Sequence, residues 1–197
     1  MSRSSSPIFE VQIAAHAVQS NWSFYTIEKF HWTERTVGAS LAVVGLAVAV
    51  VQGGLIRTII PRLGQQRSVY FGLLFYSLGF FLYAFATSTW MMFAFTAIYC
   101  MGGIAGPAIQ GLISGQVPPN EQGQLQGALT SMMSLTSIIG PLMMANVFAL
   151  FSGPRAPIYF PGASLALGGV LTLISALLAR SSLHRTAPMA ARPASSA

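Results

Sequence analysis

The chain has 197 residues, of which 53% are hydrophobic and only 7% charged, with a net charge of +6. Charged residues make up about 25% of a typical soluble domain, so this composition argues against one. The single cysteine, Cys100, excludes a disulfide framework and a cysteine-rich metal site, and is read as a small packing residue. The positive charges lie in short loops and tails, not in one basic stripe, which argues against a nucleic-acid partner.

Four stretches carry no Asp, Glu, Lys or Arg: 21 residues from Thr36 to Ile56, 53 from Ser68 to Asn120, 33 from Gln122 to Pro154 and 24 from Ala156 to Ala179. An ionised group at mid-bilayer costs several kcal/mol (about 3), so such gaps mark segments whose solvent is lipid. A bilayer core takes roughly 20 apolar residues per helix, so the longest gap holds two crossings around the turn at Ala86-Thr87-Ser88-Thr89-Trp90.

In chain order, residues 1–7 read as a short cytoplasmic segment without the apolar core of a secretory signal. Residues 8–180 read as an all-α bundle of six membrane helices. The first span, Ile8 to Thr26, is the most polar, interrupted by Gln12, His16, Gln19, Ser20, Asn21 and Ser23. The others are Val37–Ile56, Ser68–Ala86, Trp90–Gly115, Leu125–Phe151 and Ile158–Ala179. The tail 181–197 is Ala, Ser, Pro and Arg without periodicity and reads as disordered and cytoplasmic. Trp22, Tyr25, Trp32, Trp90 and Tyr159 fall near the outer span ends, where an aromatic belt is expected.

Three glycine-rich strings stand out. Gly102-Gly103-Ile104-Ala105-Gly106-Pro107 sets Gly102 and Gly106 one helical turn apart, and Pro107 removes a backbone hydrogen bond. The second, Gln122-Gly123-Gln124-Leu125-Gln126-Gly127, follows a turn that contains Pro118 and Glu121, and the third ends on Gly140-Pro141-Leu142. On spacing alone these residues serve a tight helix pair as well as a moving one. Gly102, Gly103, Gly106, Pro107, Gly123, Gly127, Gly140 and Pro141 are taken as packing or gating residues, with Gly106 and Gly127 expected at close helix contacts.

Together with Phe30-His31-Trp32, Gln52, Arg62-Leu63-Gly64, Arg67 and Phe85-Ala86-Thr87, these strings resemble the tetracycline-efflux branch of the major facilitator superfamily, in its carboxy-terminal half. The resemblance covers about Phe30 to Ala179. It implies two inverted three-helix repeats, transport of a drug-like small molecule by alternating access, and no cofactor or metal. It also implies a second six-helix bundle as partner, from a second copy of the chain or from a missing amino-terminal half. In the superfamily the helices corresponding to the first and fourth spans line the central cavity. His16, Gln19, Asn21, Gln52, Gln110 and Asn146 are therefore the candidate substrate-facing residues, with hydrogen bonding between helices as the competing role of the amides.

The chain departs from the family at two coupling positions: Val48 and Tyr76 stand where members keep a His and an Asp. No acidic residue is central in a span, so proton coupling is expected from the partner bundle or not at all. The loop bearing Arg62, Gly64 and Arg67 occupies the place of the superfamily's signature cytoplasmic loop, with Pro61 at its acidic position. That loop also anchors the helices at an anionic membrane face by charge alone. No paired catalytic groups or metal ligands suggest an enzyme. The alternative to a transporter is a truncated, non-transporting membrane remnant, a reading drawn from how closely Met1 precedes the first span.

Orientation follows from loop arginines and lysines. Arg3, Arg57, Arg62, Arg67, Arg180, Arg185 and Arg192 lie on the side of the termini, against Lys29, Arg35 and Arg155 on the other. Both termini are expected in the cytoplasm, in a bacterial inner membrane. Topology reporters fused at Gly123 should read cytoplasmic and at Gly153 external; the reverse at both sites would invert the assignment.

Overall fold

The computed structural model of the chain describes residues 6–153, 156 and 158–183. The expected segment before Ser6, the tail beyond Leu183, and Arg155 with it, lie outside the described residues. Helix α1 spans Ser6–Phe30. Helix α2 is Glu34–Leu63, capped by Thr33, whose hydroxyl accepts from the Thr36 N–H, and it widens to a π-helical turn over Val51–Leu55. Helix α3, Gln65–Phe85, follows Gly64, whose φ of +80° makes a sharp reversal that an L side chain would strain. Helix α4 is Thr89–Ser114, α5 is Gln122–Ser152 and α6 is Ala163–Leu183.

Helix α4 tightens to a 3-10 turn at Gly102–Ile104. Pro107 accounts for it: its ring crowds the Gly103 carbonyl and offers it no N–H. The last span starts at Ala163 and not Ile158, because Pro161 and Gly162 form a turn ahead of the helix.

Among the described residues five helices, α2 to α6, are long and apolar enough to cross a membrane. Helix α1 has 25 residues but falls short on hydropathy because of its polar side chains. Its neighbours, α5 and α6, are both membrane-length and apolar, and enclose it as a sixth member.

The packing order is α2–α4–α3–α6–α1–α5, with α3 against α6 at the centre. Exchanging each helix for the one three places on reverses this order onto itself, the arrangement expected of two three-helix repeats. The outermost helices, α2 and α5, are the least covered: 11% and 17% of their apolar windows are buried, against 50% for α3 and 44% for α6. Leu74 and Leu177 are among the large apolar side chains left exposed on α3 and α6. In a bilayer such faces meet lipid at no cost.

The main core gathers at the end of the bundle that carries the α1–α2 turn, and here the aromatic belt is corrected. Trp22, Tyr25 and Trp32 are buried inside the bundle, leaving Trp90 and Tyr159 exposed. The buried rings stay inside because their polar atoms find partners. Trp22 Nε1 donates to Ser40 Oγ, Trp32 Nε1 to Thr89 Oγ1, both at 2.9 Å, and the Tyr25 hydroxyl to the Tyr83 carbonyl. Trp22 meets Tyr83 edge-on at 5.0 Å, and Trp32 stacks on Phe93 at 5.6 Å. Cys100 is buried, its Sγ 4.0 Å from the Val44 carbonyl, as a packing residue would be.

Close helix approach rests on glycines other than the two expected. A Cβ at Gly72 would collide with the backbone of Ala105, at Gly102 with the Tyr76 ring, and at Gly140 with the His16 ring. Gly106, Gly123 and Gly127 have nothing within 4 Å of that position, so they are not contacts within this bundle. Gly72→Leu should lower the thermal transition in detergent by an amount corresponding to about 1–3 kcal/mol, the usual cost of overpacking. Gly127→Leu should leave it unchanged; equal loss at both sites would contradict this packing.

Candidate functional site

Three adjoining pockets of about 330, 160 and 300 Å³ open along α1, the first against α4 and α5, the second against α2, α3, α4 and α6, and the third against α5, and Gln12 lines all three. Helix α1 contributes Gln12, Ala15, His16 and Gln19, and α4 contributes Gly103, Gly106, Pro107 and Gln110. Val11 on α1 and Tyr99, Ile109 and Ile113 on α4 add to the walls, and within them these two sets share one spacing, i, i+3, i+4, i+7, which is a single face of a helix. The corresponding helices of the two repeats thus present equivalent stripes to the same cavity.

The largest pocket sets Gln12, Gln110, Gln126 and Thr130 around the bare backbone of Gly106 and the ring of Pro107. Gly106 is a cavity wall, and its missing side chain leaves the space open. The smallest pocket adds Gln52, from the π-helical turn of α2, with Tyr76, Phe80, Tyr99 and Thr172. Tyr76 can sit here because Gly102 leaves room for its ring, and Tyr99 meets it at 5.0 Å. The third pocket places His16 and Gln19 opposite Ser134 and Ser137 of α5.

Four of the six candidate residues, His16, Gln19, Gln52 and Gln110, therefore line the cavity. Asn21 and Asn146 do not. Asn21 is buried and donates from Nδ2 to the Met144 carbonyl at 2.8 Å, bonding α1 to α5. The Asn146 side chain donates to the Leu142 carbonyl of its own helix. At about 100° per residue, Asn21 falls about 180° from Gln12, and Asn146 about 200° from Gln126. The same rule brings in Gln12, Gln126 and Thr130, which sequence reasoning missed.

The glutamine and glycine string at the start of α5 divides its work. Gln122 Nε2 donates to the Ser114 and Val117 carbonyls at 2.8 Å each, tying the start of α5 to the end of α4. Gln126 faces the cavity, while Gly123 and Gly127 lie on open surface. Arg62, Gly64 and Arg67 are all exposed at the α2–α3 turn.

Chemically, the cavity offers amides, hydroxyls and aromatic rings. None of its lining residues is Asp, Glu, Lys or Arg, and His16 is the one imidazole among them. Among the described residues no three His, Cys, Asp or Glu come together as metal ligands. Such walls orient an uncharged, hydrogen-bonding, partly aromatic molecule by donors and acceptors from several sides.

A family model described as Major Facilitator Superfamily matches residues 11–196. The chain is 37% identical over 145 residues to the tetracycline resistance protein, class G, of Vibrio anguillarum, covering 74% of this chain and 37% of that protein. It is 36% identical over 141 residues to the class C protein of Escherichia coli, covering 72% and 36%. With the class H protein of Pasteurella multocida it shares 27% over 182 residues, covering 92% and 44%. The matched stretch is less than half the length of each of these relatives.

The bond from Asn21 to Met144 predicts a difference between the two asparagines. Asn21→Leu should lower thermal stability in detergent by about 1 kcal/mol, the scale of a hydrogen bond between membrane helices. Asn146→Leu should not change it. Loss at Asn146 alone would reverse the assignment.

Proposed function

Because the chain belongs to the major facilitator superfamily, we propose that it forms one six-helix half of an efflux transporter that works by alternating access. The relatives' printed names point to tetracycline, or a drug-like molecule of similar chemistry, as the cargo. The observation that carries the reading is the pair of equivalent stripes, Gln12 to Gln19 on α1 and Gly103 to Gln110 on α4, facing one uncharged cavity.

The cavity supports Gln12, Gln19, Gln52, Gln110 and Gln126 as substrate-facing amides. Its walls come from one bundle only, so substrate is enclosed when a second bundle closes over them. The sparsely covered α2 and α5 are the natural place for that bundle to dock, through a second copy of the chain or a separate half. There the open glycines Gly45, Gly53, Gly123 and Gly127 admit close helix approach. A bacterial inner membrane, with both termini cytoplasmic, accords with the loop arginines and with the bacterial relatives.

The test reconstitutes the purified chain in liposomes, with tetracycline outside and oligomeric state followed by cross-linking. Drug should move only in assemblies of two bundles, and Gln12→Leu should slow it about tenfold, as expected for about 1.4 kcal/mol from one lost polar contact. Transport by a monomer would overturn the two-bundle reading. No transport in any assembly would favour the non-transporting remnant.

A further inference from the structure

His16 occupies a place that its hydrogen-bonding partners do not explain. Its ring lines the cavity and packs on α5 at Gly140, where a Cβ would collide with His16 Cδ2. The next residue is Pro141, which has no N–H to give the carbonyl one turn back. That carbonyl belongs to Ser137, which lines the same pocket as His16. Helix carbonyls point toward the carboxy terminus, so the Ser137 oxygen is directed to the level of Gly140. The Ser137 hydroxyl is turned elsewhere, donating to the Ser134 carbonyl at 2.7 Å.

We propose that His16 is the proton-responsive residue of this bundle, a latch between α1 and α5. Neutral, the imidazole packs on the bare backbone of Gly140. On taking one proton from cavity water it carries two N–H donors, and one of them engages the Ser137 carbonyl, to which Pro141 gives no N–H. Protonation thus draws α5 against α1 across the cavity.

Nothing charged touches the ring to hold it in one state. From α5 it faces Met133, Ser134, Thr136 and Ser137, none of which titrates near neutrality. Helix α6, on the other flank of α1, has Arg180 as its one charged residue among those described, at its far end. Tyr76 and Tyr99 line the adjoining pocket, from α3 and α4, and Glu10 lies on α1 nearly two turns below. The latch supplies this half with a titrating group although Val48 and Tyr76 replace those at the family's positions. It is a property of the bundle itself and stands apart from whether the chain transports.

The test is a pH titration of the full chain in lipid nanodiscs, from pH 5 to 8, with isotope-labelled histidine and glycine followed by NMR. The His16 ring and the Gly140 amide should titrate with one shared midpoint. The Gly140 response should vanish in His16→Gln. The idea fails if His16 keeps one charge state across the range, or if it titrates while Gly140 stays still. It also fails if Gly140 still titrates in His16→Gln. Should that variant not fold, agreement or disagreement of the two midpoints in the unaltered chain decides.

Discussion

Close approach of helix backbones is the constraint on which the rest depends. Lipid gives helices no hydrophobic reason to associate, so contact area and a few polar bonds must hold them together. Gly72 against Ala105 and Gly79 against Tyr99 seat α4 on α3; Gly168 against Phe80 and Gly169 against Phe81 seat α6 on the same helix. Gly140 lets α5 reach His16 of α1. From these contacts the symmetric packing order follows, and from that order comes the cavity between α1, α4 and α5.

The polar bonds are placed to serve the same end. Asn21 to Met144 joins α1 to α5; Ser77 donates to the Gly169 carbonyl at 3.0 Å and joins α3 to α6. At the end that carries the α1–α2 turn the Lys29 ammonium donates to the Ala84 carbonyl at 3.1 Å and lies 5.2 Å from the Tyr25 ring centroid, fastening α1 to α3. The glutamine amides that line the cavity take no part in these bonds, which suits a site built to exchange its partners as a substrate comes and goes.

Much of this was legible in the sequence. Uncharged gaps located the apolar spans, and turn residues such as Gly64 and Ala86 to Ser88 separated them. The polar first span announced a helix that keeps company with protein. What the sequence hid was direction. A glycine reports that a side chain is absent, not what stands opposite, so Gly127 looked like a contact and Gly72 went unremarked. Asn21 and Asn146 were grouped with Gln19 and Gln110 by chemistry, although the helical period puts them on other faces. Trp22 and Trp32 read as membrane anchors because the hydroxyls of Ser40 and Thr89, which hold them inside, come from other helices.

The central claim is that α2 and α5 present protein-binding faces and not lipid-facing ones. A photo-crosslinking residue placed at Gly45 of α2 and Ser131 of α5, in membranes of cells carrying the chain in its native genetic surroundings, tests this most directly. Leu74 and Leu177, exposed on α3 and α6, serve as lipid-facing references. The account predicts covalent adducts with a second membrane polypeptide at Gly45 and Ser131, and lipid adducts alone at the two leucines. Lipid adducts alone at all four positions would contradict it.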